Sequence, residues 1–301
     1  MQLRVSEENL PFFEALASPT RLAIIDLLGR HPMNIRELAE QLGISSSIVA
    51  RHITQLEQAR VVRCERQPGR RGEQKVCRLD LDAVALRFSG KRRGGPAYRF
   101  SVPVGVYASC DAAPTCGLAG RDSLIGILDD PRTFDDPAHT AASLLWFGSG
   151  FVEYALPNYL VHGQAARSLK LSFEICSEAP GYREQWPSAI SFDINGVCLG
   201  PWISPGDFGR RRGALTPDWY TLGTQYGLLK TLTVNRTGSY LDGVRLSGVT
   251  LGQLRIIPGG PIALRIRSGE QAPGAGGVTL FGRYFGNYAQ DIDVCLEYGR
   301  R

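Results

Sequence analysis

The spacing of apolar residues changes near residue 97, and this change constrains the fold more than any other feature. Before it, the segment FFEALASPTRLAIIDLLGR (12–30) repeats apolar residues every three or four positions, as amphipathic helices do. After it, SLKLSFEICSE (168–178) and many similar segments alternate apolar and polar residues, as strands do. The polar, glycine-containing KRRGGPA (91–97) lies between the two regimes. The chain is therefore predicted to be an α+β protein of two domains.

We place the mainly helical domain at residues 1–90, a linker at 91–98 and a β-domain at 99–301. A length of 301 residues with 43% hydrophobic and 21% charged residues suits two globular domains. No apolar run approaches the roughly 18 residues of a membrane span, and the N-terminus does not resemble a signal peptide. The seven cysteines include no CxxC pair, which favours a reducing compartment. We expect a cytoplasmic protein with no membrane partner.

The excess of positive charge lies in the first third of the chain. Residues 1–99 hold 17 Lys and Arg against 11 Asp and Glu, whereas the remainder holds 17 against 18. A basic module joined to a nearly neutral one predicts a polyanionic partner for the first module only.

Two short helical patterns meet at a turn inside the basic module. IRELAEQLG (35–43) ends on a glycine, and the following serines can cap a second helix that we place at 46–60. Its buried stripe is predicted to consist of Ile48, Val49, Ile53, Leu56 and Ala59. This order is typical of a helix-turn-helix motif. Two strands then follow at 61–66 and 74–79, joined by a basic turn.

The exposed face of the second helix and the basic hairpin carry side chains that suit phosphates and base edges. We predict double-stranded DNA as the partner, contacted by Arg21, Ser46, Ser47, Arg51, His52, Gln55, Arg66, Arg70, Arg71 and Lys75.

The stretch FFEALASPTRLAIIDLL, the helix-turn-helix and the basic hairpin together resemble winged-helix repressors of the ArsR/SmtB type over about residues 7–82. The resemblance implies a homodimeric repressor that reads a partly palindromic operator. Many members sense metals through cysteines on the helix before the recognition helix, but NIRELAEQLG contains neither cysteine nor histidine. The family's final dimer helix shortens here to LDAVALRF (81–88). The effector is therefore expected to act elsewhere.

The β-domain is predicted to be an antiparallel β-sandwich, jelly-roll-like, because nine or ten strands follow one another with almost no helical stretch. One hairpin is well marked: SAISFDINGVCLG (188–200) alternates on both sides of Asn195-Gly196, a sequence favoured in tight hairpin turns. We expect Trp186 and Trp202 to lie just beyond its two strands, at one rim.

Aromatic residues stand beside short polar ones in the loops of this domain. Aromatic rings can cover the C–H face of a sugar while carboxylate, amide and guanidinium groups bind its hydroxyls. The domain loosely resembles carbohydrate-binding jelly rolls, as found in a group of ArsR-like bacterial regulators. We therefore predict a small carbohydrate-like effector, bound by Glu178, Trp186, Asn195, Trp202, Asp207, Arg210, Trp219 and Tyr220. No cofactor is expected.

Two alternatives remain open. Cys110 and Cys116, in SCDAAPTCGL, could bind a metal or form a reversible disulfide. Two cysteines separated by five residues are not a strong zinc signature, however. A carbohydrate-active enzyme would need two carboxylates about 5–10 Å apart. Candidates for such a pair are Glu153, Glu174, Glu178, Asp193 and Asp207. No motif pairs them, and we assign no catalytic residue.

Overall fold

The computed structural model describes residues 2–68, 73–81, 84–88, 95–269 and 276–300. The chain divides into two compact units, Met1–Arg93 and Gly94–Arg301. Each unit has a hydrophobic core of its own. The first strand of the second unit begins at Ala97.

The first unit contains four α-helices and five strands among the described residues. Helices α1 to α4 occupy Leu10–Leu16, Pro19–Arg30, Ile35–Leu42 and Ser46–Gln58. Strands β1 to β5 occupy Gln2–Val5, Met33–Asn34, Val62–Pro68, Glu73–Leu79 and Ala85–Phe88. Strands β2, β4 and β3 form an antiparallel sheet in that order, and β1 pairs with β5 in parallel. Every helix among the described residues is too short or too polar to span a bilayer.

The turn between α3 and α4 is fixed by local capping. The Asn34 side chain accepts from the Glu37 backbone N–H at 2.9 Å while the Glu37 carboxylate accepts from the Asn34 N–H at 2.7 Å. This reciprocal capping box starts α3. Gly43 ends the helix in the left-handed region, at φ 64°, where a glycine carries no steric penalty. Ser45 then caps α4 through the Ile48 N–H, so the helix-turn-helix follows from the sequence locally.

Two local predictions for this unit were wrong. LDAVALRF was expected to contain a short terminal helix, but its last four residues form strand β5, paired with β1 at the other end of the unit. A partner about eighty residues away in sequence decides this conformation, and a local pattern does not reveal it. Ile48 was expected in the buried stripe of α4, yet 47% of its surface is exposed.

The second unit is built almost entirely from antiparallel strands. Strands β6 to β20 occupy Ala97–Val102, Ser109–Ala113, Gly117–Ala119, Leu124–Ile125, Leu144–Phe147, Ser149–Leu156, Gln164–Cys176, Ser188–Ile194, Val197–Ser204, Leu228–Val234, Ser239–Leu241, Val244–Ser247, Ile262–Ser268, Val278–Phe281 and Ile292–Arg300. The predicted hairpin is confirmed: β13 and β14 pair around Asn195-Gly196.

These strands form two sheets that face each other. The larger runs β17-β16-β15-β12-β19-β10-β8-β9, with β20 and β6 attached beside β12, and the smaller runs β14-β13-β18-β11-β7. Residues of both sheets share one core, in which the rings of Phe173 and Phe192 lie 5.6 Å apart. The large antiparallel region is thus as predicted from the sequence, whereas the jelly-roll connection remains a prediction.

The larger sheet is also covered on its outer face. Along β10, Leu145 and Phe147 belong to the core between the sheets, while Leu144 and Trp146 belong to a second cluster with Tyr220. This is the two-residue alternation of a strand, but here both faces are buried. The long segment between β14 and β15, residues 205–227, contributes to the covering layer.

Glu174 anchors this covering layer to β12. Its carboxylate is fully buried and accepts from the backbone N–H groups of Gly227, Asn287 and Tyr288 at 2.8 to 3.0 Å. Burial raises the pKa of Glu174 to about 7, although the three donors favour its ionised form. The carboxylate therefore satisfies loop amides that would otherwise be buried without partners.

The raised pKa of Glu174 makes stability depend on pH. An unfolded glutamate titrates near 4.3, so the protonated carboxyl stabilises the fold below that pH and this contribution is lost as the pH rises through about 7. Its loss amounts to roughly 3 kcal/mol.

We expect Glu174→Gln to lower the melting temperature at every pH, because a glutamine NH2 group then faces backbone donors. The same change should flatten the fall in melting temperature between pH 5 and pH 8. Scanning calorimetry of both proteins measures this, and an unchanged slope would contradict the assignment.

Candidate nucleic-acid interface and ligand cavity

Helix α4 presents a polar face to solvent. Val49, Ile53 and Leu56 are buried against the first core, and this fixes which side of the helix points outward. The exposed residues of α4 are Ser46, Ser47, Ile48, Arg51, Thr54, Gln55 and Gln58. This surface thus holds three predicted DNA contacts, Ser46, Ser47 and Arg51. It also holds Ile48, an apolar residue whose exposure the sequence analysis missed.

Arg21 does not point freely outward. Its guanidinium donates to the backbone oxygens of Glu14 and Ala15, at 2.7 and 2.6 Å, and to Gln55 Oε1 at 2.6 Å. The side chain therefore ties the α1–α2 turn to α4. Arg21 and Gln55, both predicted as DNA contacts, hold the position of the helix through this bond, while the Gln55 amide N–H2 remains on the exposed side.

His52 carries little positive charge near neutral pH. Burial lowers its pKa, and the positive charges of Arg21 and Arg51 lower it further. Its Nδ1 is buried without a hydrogen-bond partner among the described residues. The charge that α4 offers to a polyanion therefore comes from Arg51.

The hairpin β3–β4 supplies further basic residues. Arg66 is exposed on β3. Lys75 on β4 forms an ion pair with Glu57 of α4 at 2.5 Å, which fastens the hairpin to that helix. Arg70 and Arg71, predicted at the tip of the turn, lie outside the described residues.

The second unit contains a cavity of about 150 Å³ beneath its covering layer. Its walls come from the end of β12, from β10 and from three loops that are distant in sequence. The lining residues are Thr115, Leu128, Asp129, Trp146, Glu178, Pro180, Gly181, Tyr220, Leu222, Gly223 and Thr224. Glu178 and Tyr220 are the two predicted ligand residues that line it.

Two carboxyl groups lie close together at this cavity. Glu178 accepts from the hydroxyls of Thr115 and Thr279 at 3.0 and 2.9 Å. Burial raises its pKa well above the usual range, and the nearby Asp207 raises it further. Asp207 is itself fully buried, and burial raises its pKa to about 7. The Ala179 N–H donates to Asp207 Oδ2 at 3.0 Å.

Two aromatic residues with polar groups line the cavity. Trp146 and Tyr220 are 6% and 3% exposed, and their rings meet edge-on at 6.4 Å. The lining also includes the carboxyl groups of Glu178 and Asp129 and the hydroxyls of Thr115 and Thr224. The cavity therefore offers an indole N–H, a phenol, two carboxyl groups and two threonine hydroxyls to a bound molecule.

Four other predicted ligand residues lie away from this cavity. Asn195 holds its own hairpin in place: it donates to Leu254 O and Pro261 O and accepts from the Ala263 N–H. Arg210 is exposed, and its backbone N–H donates to Glu184. The tryptophans Trp186 and Trp202 complete the group.

The two tryptophans do not form a common rim. Trp202 lies within β14, paired with Ile190, and not beyond the strand end as expected. The ammonium of Lys230 lies 4.8 Å from its ring centre. Trp186 instead stacks with Arg183, 4.5 Å from its ring centre. Strand β14 extends past Gly200, and its pairing with β13 continues to Ser204. The register of this pairing shifts between Phe192 and Asp193.

Trp219 does not line the cavity but packs against the lining residue Tyr220. Its indole N–H donates to Arg121 O at 2.7 Å, and its ring meets that of Tyr220 edge-on at 5.6 Å. Trp146, by contrast, is a lining residue, although it lies in the apolar run LLWF, which is typical of a buried core strand. No local signal marks Thr115 or Thr224 as lining residues.

The two cysteines of the metal alternative are poorly suited to it. Burial raises the pKa of Cys110, and it raises that of Cys116 to about 11, which disfavours the thiolate form that metals bind. Among the described ranges, no group of three or more His, Cys, Asp and Glu side chains is placed to hold a metal ion.

Known proteins match the first unit. Residues 18–63 match the family "Bacterial regulatory protein, arsR family". The HTH-type transcriptional regulator Rv2034 of Mycobacterium tuberculosis is 38% identical over 73 residues, or 24% of this chain and 64% of that protein. The uncharacterized HTH-type transcriptional regulator MJ0229 of Methanocaldococcus jannaschii is 43% identical over 49 residues, or 16% of this chain and 52% of that protein.

The chain thus spans about half to two thirds of the length of these relatives. A solved structure, the ArsR family transcriptional regulator RHA00566, matches at 31% identity and a TM-score of 0.22, covering 26% of this chain and 76% of that chain. Each of these three matches covers about a quarter of this chain or less. Residues 18–63 form a helix-turn-helix domain of the ArsR family of bacterial regulatory proteins.

Proposed function

We propose that this protein is a transcriptional repressor whose affinity for DNA is controlled by a small carbohydrate-like molecule. The first unit binds double-stranded DNA, and the second binds the effector in the cavity beside Glu178. The observation that carries the proposal is the ArsR-family helix-turn-helix, whose second helix leaves Arg51 and its polar neighbours exposed.

The DNA contact uses α4 in a major groove. Ser46 and Ser47 lie at its N-terminus, where backbone N–H groups and short hydroxyls suit a phosphate. One turn further along, Arg51 can reach a guanine edge or a phosphate, and Ile48 can contact a thymine methyl group. The hairpin adds Arg66 along the backbone. Arg21 keeps α4 in place through Gln55.

The effector contact uses the donors and acceptors that the cavity leaves free. Polar groups placed among aromatic walls are what a monosaccharide requires. A cavity near 150 Å³ holds a single six-membered ring such as benzene, so its size suits one small ring. The predicted residues Trp186, Asn195, Trp202 and Arg210 have no part in this version of the site.

Control requires that the effector bind one DNA-binding state of the protein better than another. A coupling of about 1 to 3 kcal/mol changes DNA affinity roughly 5- to 150-fold. The homodimer implied by the family resemblance remains part of the proposal, although the segment expected to form its last helix contains strand β5.

The DNA assignment is tested with Arg51→Ala. We expect the full-length variant to bind a duplex enriched from a random pool by the native protein about tenfold or more weakly, since one such contact contributes about 1–3 kcal/mol. Fluorescence anisotropy over a salt series measures both the affinity and the number of phosphates neutralised.

The matched control is Arg30→Ala, which removes an exposed arginine paired with Asp26 at the end of α2. Equal affinities for the native protein and Arg51→Ala would contradict the placement of α4 on DNA.

The effector assignment is tested with Tyr220→Phe, which keeps the ring and removes one hydroxyl. We expect a panel of neutral and amino monosaccharides to contain a binder that changes DNA affinity, and we expect the variant to bind it about fivefold more weakly. Titration calorimetry gives the affinity. Tyr182→Phe, at an exposed tyrosine outside the cavity, should bind normally. If no sugar binds, the proposed function fails.

A further inference from the structure

The charge of the cavity narrows the chemistry of its ligand, and this step rests on the proposed function. Glu178 lines the cavity and Asp129 stands at its rim, while Asp207 lies close behind Glu178. No lysine, arginine or histidine lines it among the described residues. Three arginines near the lining residues in sequence have other partners: Arg121 lies over Tyr284, Arg183 lies over Trp186, and Arg132 pairs with Asp130.

The carboxyl of Glu178 therefore has hydroxyl partners but no positive one. The hydroxyls of Thr115 and Thr279 each occupy one site on its two oxygens, and a carboxylate can accept about four hydrogen bonds. Buried carboxylates are normally paired with a cation or stay protonated. Burial raises the pKa of both Glu178 and Asp207, and the neighbouring Asp207 raises that of Glu178 further.

The aromatic walls add to the same preference. Trp146 and Tyr220 both line the cavity, and the faces of such rings attract cations, more strongly when water is excluded. Their indole N–H and phenol O–H can still donate to neutral hydroxyls of the same ligand. The site thus joins the Glu178 carboxyl, which a bound cation would hold in its ionised form, to two donors within the space of a small ring.

We propose that the cavity binds the protonated amine of a monosaccharide-sized ligand, an amino sugar, with the ammonium group on Glu178 and the ring against Trp146 and Tyr220, whose own rings meet edge-on at 6.4 Å. The ammonium donates to the free lone pairs of the Glu178 oxygens, which the two threonine hydroxyls hold in place. Trp146 and Tyr220 donate to ring hydroxyls. A neutral sugar would leave the buried carboxyl without its cation, and an acidic sugar would add a like charge.

The test uses the full-length protein and three sugars that differ in one group: glucosamine, N-acetylglucosamine and glucose. Titration calorimetry should give binding for glucosamine, and binding about 10- to 100-fold weaker for the two neutral sugars, as expected for the loss of a hydrogen bond to a charged group.

Glu178→Gln should lower glucosamine affinity by a similar factor. Glu297→Gln, which removes a surface partner of Lys170 outside the cavity, should leave it unchanged. Glutamine is isosteric with glutamate and can hydrogen-bond to both threonine hydroxyls, and an unchanged melting temperature of the free variant verifies that it folds.

Each outcome decides one proposal. Binding of glucose or N-acetylglucosamine as tightly as glucosamine, or full glucosamine affinity in Glu178→Gln, would overturn the amine inference and leave the sugar effector standing. Binding of none of the monosaccharides would overturn both. Selective glucosamine binding that depends on Glu178 supports both.

Discussion

Burial of Glu174 under the covering layer is the constraint on which the site of the second unit depends. One carboxylate on β12 accepts from backbone N–H groups of two separate segments, and without it those amides would be buried unpaired. By holding the segments near residues 227 and 287 against the larger sheet, it fixes the layer that contains Tyr220. The cavity exists because that layer covers the sheet incompletely.

The end of β12 separates the structural carboxylate from the one at the cavity. Glu174 lies on the strand and Glu178 lies two residues beyond its last residue, Cys176, and their partners differ. Backbone amides surround the first, whereas hydroxyls and a second acid surround the second. A carboxylate ringed by amides is a structural anchor. One beside an open space, with a like charge as its neighbour, is suited to a ligand that brings a positive charge.

Much of the first unit was predictable because its signals are local. The capping box at Asn34, the left-handed Gly43 and the cap at Ser45 each act within four residues, so the helix-turn-helix could be placed from sequence. The strand at Ala85–Phe88 could not, because its conformation depends on pairing with Gln2–Val5. Exposure of Ile48 was also missed, since the spacing pattern does not distinguish an exposed apolar residue from a core residue.

The sequence by itself determined where helical spacing of apolar residues gives way to strand alternation, and that the excess of positive charge lies in the first third. It also determined the helix-turn-helix and the Asn195-Gly196 hairpin. Each of these depends on near neighbours in the chain. Only the tertiary structure decided that Trp146 lines a cavity, and that Glu178 and Asp207 meet there. Alternation along a strand separates its two faces. Because both faces of the larger sheet are buried, this alternation cannot tell which face borders the cavity.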